Sequence, residues 1–270
     1  MANKMLIDIH LHSDFSFDSK EKQENYVISA LKAGVPAIGF SEHYDYDALL
    51  DGAGIALCDI PEYVKGIKEL RKNYPEPEIL CGIEFGYRGE AAEKYGKLIK
   101  EYDFDYVINS VHTLKGRGDC FHDSFFEGKT LKESYYDYFE GVLESVHADF
   151  DYQIVGHIGY VSRYRPGDGV KIRYCDFSDI IDEILREIIS RDKCLEINTS
   201  TGSSQSEFLP DRDIIERYLQ LGGKKLSFGS DAHRAGDYFR KGAELSEYLK
   251  SIGVNTLYYY KKRQAIAYNI

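Results

Sequence analysis

The sequence predicts an α/β fold in which a parallel sheet closes into a barrel, and three observations carry that prediction. Short apolar runs alternate with segments of helical period along the chain, which implies parallel strands joined by crossover helices. The apolar runs are similar in length and about equally spaced. Histidines and acids cluster just past the C-terminal ends of those runs, where a barrel of this kind builds its site. An open doubly wound sheet is the alternative, but no G-x-G-x-x-G follows the first strand.

The first strand runs from Met5 to His10, inside Ile7-Asp8-Ile9-His10-Leu11-His12. Asp8, His10 and His12 stand at every second place, and residues two apart on a strand share a side. His10 and His12 therefore project together near the strand end, as half of a metal site. After a polar loop from Ser13 to Ser19, the residues Val27, Ile28 and Leu31 mark a helix that stops at Gly34, a C-terminal cap. Ala37 to Phe40 is the second strand and ends in Ser41-Glu42-His43; an irregular acidic loop follows to about Cys58. Asp59, Pro61 and Glu62 open a helix to about Lys72, which Pro75 and Pro77 end. Ile79 to Ile83 closes with Glu84, and a helix over 90–101 leads to Tyr106–Val111, which ends at His112.

The stretch Thr113 to Gly128 is longer than a minimal connection, which makes it a candidate substrate-binding or lid loop. Thr130 and Glu133 form a capping box for a helix through about Val146. Gln153 to Val155 ends in Gly156-His157, and the loop Tyr160 to Gly169 holds Arg163 and Arg165. Ile180, Ile181, Ile184, Leu185, Ile188 and Ile189 recur at helical period. Cys194 to Ile197 ends in Asn198, and Pro210 and Asp211 open a helix that Gly222 and Gly223 close. Leu226 to Phe228 ends in Gly229-Ser230-Asp231-Ala232-His233. A last helix over 240–251 precedes one further strand, Thr256 to Tyr260. No linker or repeat interrupts the chain, and 270 residues suit one barrel domain, 1–270.

Composition narrows the function. A formal net charge of −11 argues against a nucleic-acid backbone or an anionic membrane as partner. An anionic small substrate would need bound cations to reverse the local field. The cysteines at 58, 81, 120, 175 and 194 form no C-x-x-C pair and are odd in number, so free thiols in a reducing cytoplasm are expected. The N-terminal apolar run is broken by Asp8 and His10, so no signal peptide is expected, and no run approaches a membrane span. Nothing in the sequence speaks to oligomeric state.

The strand ends carry His10, His12, His43, Glu84, His112, His157, Asp231 and His233. A lone histidine is more often a hydrogen-bonded core or surface group than a ligand, and His122 and His147 are read that way; His147 ends a helix, where the dipole favours a cation. For the whole set that reading fails. Unpartnered, so many buried imidazoles and carboxylates would cost several kcal/mol each. Divalent cations such as zinc, iron or manganese supply the partners. A catalytic zinc takes about three protein ligands, so the count suggests two or three ions with a bridging carboxylate, for which Glu84 is the candidate. Asp18, in the first loop, is a candidate further ligand or a solvated acid.

Taken together, D-I-H-L-H at 8–12, S-E-H at 41–43, G-I-E at 82–84, S-V-H at 110–112, G-H at 156–157 and G-S-D-A-H at 229–233 resemble the polymerase and histidinol phosphatase (PHP) superfamily. F-F-E-G-K at 125–129, V-G-H-I-G-Y-V-S-R-Y at 155–164 and L-E-I-N-T-S at 195–200 look like its histidinol-phosphate phosphatase branch. The resemblance covers nearly the whole chain. It implies a distorted seven-stranded (β/α) TIM-like barrel and a trinuclear centre. Matched residue by residue, His10, His12, Glu84 and Asp231 would hold one ion, Glu84, His112 and His157 a second, and Asp18, His43 and His233 a third. Arg163 matches a phosphate-contacting arginine of the branch. A second such arginine, common just after N-T-S, is absent: the run here is Thr199-Ser200-Thr201-Gly202-Ser203-Ser204-Gln205.

The resemblance implies hydrolysis of a small phosphomonoester, L-histidinol phosphate first, as in histidine biosynthesis. The ions would lower the pKa of a water and neutralise phosphoryl charge, with Glu84 and Asp231 holding them and Arg163 gripping the phosphate with its planar fork. Arg117 is a weaker phosphate candidate. Glu42 and acids in the Tyr44–Asp51 loop could meet a cationic substrate end. Competing readings are an amidohydrolase cleaving C–N bonds, a phosphodiesterase or exonuclease of the same superfamily, and a non-catalytic metal-binding barrel. The amidohydrolase pattern usually has a lysine after a middle strand, where this chain has Glu84. The exonuclease reading lacks a basic stripe.

Overall fold

The computed structural model describes residues 6–46, 56–164 and 171–270. The loop acids Asp47 and Asp51, and Arg165, lie outside the described residues. In chain order the elements are α1 (Gln23–Ala33), β1 (Ala37–Tyr44), α2 (Ile60–Asn73), β2 (Glu78–Gly86), α3 (Ala92–Glu101), β3 (Tyr106–Ser110), a small hairpin of β4 (Thr113–Leu114) and β5 (Gly118–Asp119), α4 (Leu131–Val146), β6 (Ile154–Val155), α5 (Ser178–Ser190), β7 (Cys194–Asn198), α6 (Arg212–Gln220), β8 (Leu226–Gly229), α7 (Gly242–Ser251), β9 (Thr256–Lys261) and β10 (Gln264–Asn269).

Six strands, β1-β2-β3-β6-β7-β8, form one parallel sheet in chain order. It is curled into a half-barrel. The expected first strand is present as an extended segment, Leu6–His12, but not as a ladder. Its hydrogen bonds reach both edges of the sheet: Ile9 N to Phe228 O (3.4 Å) and His12 N to Ala232 O (3.0 Å) on one side, Gly39 N to Asp8 O and Ser41 N to Leu11 O (both 2.9 Å) on the other. Only isolated bridges result. The reason is that side chains take the donors a ladder would use. The Asp8 carboxylate accepts His10 N (3.3 Å) and Ser230 N (3.0 Å), and Tyr268 Oη accepts Ile7 N (3.0 Å).

Local signals place most helix ends. The Asp59 side chain caps α2 through Glu62 N, the Thr130–Glu133 capping box is complete, and Gly34 closes α1 in a left-handed conformation. The buried stripe of α1 differs from expectation. Gln23, Tyr26, Val27 and Ala30 face inward, whereas Ile28 and Leu31 are 36% and 43% exposed. At helical pitch the two stripes are adjacent faces, and the one nearer the sheet is the one that starts at Gln23.

Strand pleating sorts the interior. On β1 the residues Ile38, Phe40 and Tyr44 join the outer core under the helices, while Ala37 lies in a second cluster with Ile7, Ile9, Leu80, Tyr106, Ile108, Ile154 and Cys194. Tyr106 fills the middle of that inner cluster, its hydroxyl donating to Ile9 O (2.7 Å) and Phe40 O (3.0 Å). Gly39 and Gly82 make room for it: a Cβ at either would stand 2.4 or 2.2 Å from the Tyr106 side chain. The inner positions one step further along are polar, and they build the site.

Thr256–Tyr260 is a strand, but it does not extend the parallel sheet. It pairs antiparallel with β10, a partner the sequence reading did not foresee. This hairpin covers the N-terminal end of the half-barrel. Tyr260 packs into the inner cluster, and the hairpin turn is held by Asp105, which accepts Lys262 N on its carboxylate (3.0 Å) and Arg263 N on its carbonyl (2.7 Å). No helix among the described residues is long and apolar enough to cross a membrane, and none of the five cysteines is in a disulfide.

Candidate metal centre

His43 and Glu84 are register partners on adjacent parallel strands and end β1 and β2 on the inner face. Glu84 is fully buried, and both its oxygens face imidazoles. Oε2 lies 3.1 Å from His43 Nδ1, 3.3 Å from His10 Nε2 and 3.5 Å from His12 Nε2. Oε1 lies 2.9 Å from His157 Nε2 and 3.4 Å from His112 Nε2, and accepts Ser110 Oγ at 2.6 Å. Asp231 approaches from β8, its Oδ1 3.3 Å from His12 Nε2 and 3.9 Å from His10 Nε2. Asp18 sits at the rim, 3.0 Å from His233 Nε2 and 3.7 Å from His43 Nε2. All nine candidate ligands read from the sequence therefore converge at the C-terminal ends of the strands.

The donor set fits divalent cations. His10 Nε2, His12 Nε2 and Glu84 Oε2 are buried and have no hydrogen-bond partner, though they face one another. Among the described residues four groupings, His10–His12–Asp231, His10–Glu84–His157, His12–His43–His233 and His43–Asp45–His112, each bring ligand atoms within 4.8 Å of one another. Burial and the neighbouring His43 and His233 push His12 down to about 3, so it stays a neutral donor. Burial also lowers His157. Burial alone would raise Glu84, but the imidazoles of His10, His43 and His112 outweigh it and hold the carboxyl well below the ordinary range. Burial opposes ionisation of Asp231 too, and Arg163 and His10 reverse that. Burial would lower His10, His43, His112 and His233 as well, but the surrounding carboxylates outweigh it and raise all four, so protons balance the buried acids where bound cations would, and ligation would displace them.

Arg163 is buried beside this cluster. Its Nη1 is 2.8 Å from Asp231 Oδ2, its Nη2 donates to Asn198 Oδ1 (3.2 Å), and the guanidinium lies 5.1 Å from the Tyr160 ring centroid. The mouth above is lined by Phe17, Asp45, Asp119, Tyr160 and Tyr164. Asp119 comes from β5, so the Thr113–Gly128 stretch does reach the site. It is pinned rather than loose, with Phe125 and Phe126 buried and Cys120 N bonded to His112 O at 3.0 Å.

Two expectations are corrected. Glu42 does not face the site. It is the neighbour of an inward His43, so the pleat turns it outward, where it accepts Ser13 N (2.9 Å), Ser16 Oγ (2.6 Å) and Gln23 Nε2 (3.3 Å). Arg117 is held against α4 by Asp137 (2.7 Å) and stacks on Phe125, so it is neither free nor in the mouth. His122 and His147 stand outside the cluster, as read; His147 Nδ1 meets Arg191 Nη2 at 2.6 Å. Glu196 and Asp119 were missed, and Asp45, expected only among the Tyr44–Asp51 acids that could meet a substrate, stands behind two histidines. Asp45 lies 3.2 Å from His112 Nδ1 and 3.4 Å from His43 Nδ1, Glu196 bonds His10 Nδ1, and Asp119 lines the mouth. Period-two counting from His43 would have found Asp45, and an acid inside the apolar run Cys194–Ile197 was the signal for Glu196.

A curled parallel sheet that gathers imidazoles and acids at the C-terminal ends of its strands defines a metal-binding α/β protein. The PHP domain profile matches residues 8–200, and the chain belongs to the PHP domain family. It is 32% identical over 229 residues to the probable histidinol-phosphatase of Clostridium acetobutylicum, covering 85% of this chain and 87% of that one. It is 31% identical over 230 residues to the histidinol-phosphatase of Lactococcus lactis, covering 85% and 84%. The solved histidinol phosphate phosphatase of Lactococcus lactis, complexed with zinc, L-histidinol and phosphate, superposes with a TM-score of 0.85 at 29% identity, covering 97% of this chain and 99% of that one.

Proposed function

We propose that this chain is a metal-dependent phosphoric monoester hydrolase that converts L-histidinol phosphate and water to L-histidinol and phosphate. The observation that carries the reading is the Glu84 carboxylate, shared between two sets of imidazoles beside a buried Arg163. The Lactococcus lactis structure, with zinc, L-histidinol and phosphate bound in the same fold, supports it. His10, His12, Glu84 and Asp231 would hold one ion, Glu84, His112 and His157 a second, and Asp18, His43 and His233 a third, as zinc, manganese or iron. When bound, such ions act as Lewis acids toward water and the phosphoryl oxygens.

The chain's own residues do the rest. Arg163 grips a phosphate oxygen with a guanidinium that Asp231 and Asn198 hold in place. Attack in line by water breaks the P–O bond to the alcohol, which leaves with a proton as L-histidinol. The run Thr199–Gln205, where the branch commonly carries a second arginine, has none, so Arg163 is the sole arginine assigned to the phosphate. The Leu6–His12 segment serves as the seventh stave of the barrel, and residues 1–270 form a single PHP-type domain. The test is phosphate release by metal-analysed protein from L-histidinol phosphate, set against other phosphomonoesters. A preference for an unrelated ester would overturn the substrate, and no turnover of any ester would overturn the enzyme.

A further inference from the structure

β7 contributes none of the proposed ligands, yet two of its inner-face side chains tie the centre together. Glu196 is buried. Its Oε1 is hydrogen-bonded to His10 Nδ1. Its Oε2 accepts the His157 backbone N–H at 2.7 Å and Asn198 Nδ2 at 3.3 Å. Asn198 Nδ2 also reaches Asp231 Oδ2 (3.3 Å), and its Oδ1 accepts from Arg163. On β8, Gly229 is the register partner of Asn198. A Cβ at Gly229 would stand 2.4 Å from Glu196 Oε1 and 2.7 Å from His10 Cβ, so a glycine is what admits the carboxylate to His10.

We propose that Glu196 is a positioning residue that sets the tautomer of His10 and spaces it from His157. An imidazole that donates its Nδ1–H to a carboxylate presents a bare Nε2 lone pair. His10 Nε2 is the atom that faces Glu84 without a hydrogen-bond partner. Through the His157 amide, the same carboxylate anchors the start of the loop that carries a ligand of the second proposed ion. The inference rests on reading His10 as a ligand.

Glu196→Gln is a sharp test because the surroundings dictate how the amide sits. Two donors converge on Oε2, so the amide oxygen belongs there. Its NH₂ then faces His10 Nδ1 and donates to it, which leaves the proton on Nε2, the wrong nitrogen for ligation. In a chelator-competition titration, Glu196→Gln is expected to bind one zinc about 10–100-fold more weakly than wild type. Zinc-loaded wild type is expected to show a downfield, exchange-protected proton on His10 Nδ1, and zinc-loaded Glu196→Gln to lack it. Gly229→Ala keeps the charge but crowds the carboxylate; it carries the test, with the same loss of zinc affinity expected, if Glu196→Gln fails to fold. Wild-type affinity together with a retained Nδ1 proton in Glu196→Gln, or wild-type affinity in Gly229→Ala, would overturn the role of Glu196. A wild-type protein that takes up no zinc would instead overturn the metal reading on which it rests.

Discussion

Arg163 Nη1 lies 2.8 Å from Asp231 Oδ2, and both side chains are buried. One carboxylate therefore faces two kinds of group: its Oδ1 looks toward the His12 and His10 imidazoles, its Oδ2 toward the guanidinium. Burial would discharge Arg163, but Asp231 reverses that and keeps it firmly charged. A fixed cation already desolvated before substrate arrives needs little reorganisation to stabilise a phosphoryl group. Arg163→Ala is expected to lower kcat/KM for L-histidinol phosphate by about 10²–10³, read by steady-state phosphate release. Arg163→Lys should recover little, because an ammonium cannot reproduce the fork that meets Asp231 and Asn198 together. An unchanged kcat/KM in Arg163→Ala would remove the residue from the phosphate site.

Ligands that must be deprotonated make metal uptake and folding one equilibrium. Stripping the protein with a chelator is expected to abolish turnover and lower Tm, since an ion at about 100 times its Kd contributes about 2.7 kcal/mol per site. His157→Ala removes the imidazole 2.9 Å from Glu84 Oε1. Elemental analysis should show it short of one ion, with turnover falling in parallel. Full metal content and full activity in that variant would mean the centre is drawn wrongly.

The inner cluster leaves no slack at Gly82, where an added Cβ would lie 2.2 Å from the Tyr106 ring and 2.8 Å from Phe40 O. Gly82→Ala is expected to destabilise by about 1–3 kcal/mol or more through overpacking, seen as a lower denaturant midpoint at unchanged m-value. Combining it with Tyr106→Leu should give a cost smaller than the sum of the two single variants, because the ring is the obstacle.

Away from the centre, Asp182 of α5 takes the fork of Arg217 from α6, at 2.7 Å from Nε and 2.5 Å from Nη2, and accepts Tyr174 Oη at 2.9 Å. The Arg217 hydrogen bonds outweigh the opposing effect of burial and, with Tyr174, bring Asp182 from 3.8 down to about 2. A carboxyl depressed on folding contributes stability above its unfolded pKa and loses it as pH falls through the folded one. Asp182→Asn should therefore cost about 0.5–1 kcal/mol near neutrality. The gap from wild type should narrow between about pH 4 and pH 2. Denaturant midpoints measured across that range would show it, and a gap independent of pH would assign the cost to packing instead.

The class of fold and the set of candidate ligands that converge were legible because both are written locally. An apolar run that stops at a histidine or acid marks a strand end, and strand ends of a parallel sheet gather at one mouth. His43, Glu84, His112, His157 and Asp231 each announced themselves in that way, and capping residues such as Asp59, Thr130 and Gly34 did the same for helix ends.

What the sequence could not decide was which face each residue takes and what lies across from it. Pleating fixes side-chain direction only up to a choice of two, so the adjacent Glu42 and His43 could not both face the mouth, and the curled sheet turned His43 inward and Glu42 out. The partners that settle the rest are remote in the chain: Glu196 meets His10 across 186 positions, and Tyr268 takes the Ile7 amide across 261. By itself the sequence determined a parallel α/β fold and the candidate ligands at its strand ends. Only the tertiary structure decided that the N-terminal segment is not a regular strand, that the β9–β10 hairpin closes the far end, and that Glu196 and Asp45 stand behind the histidines. Each of those outcomes depends on a contact between segments that only folding brings together.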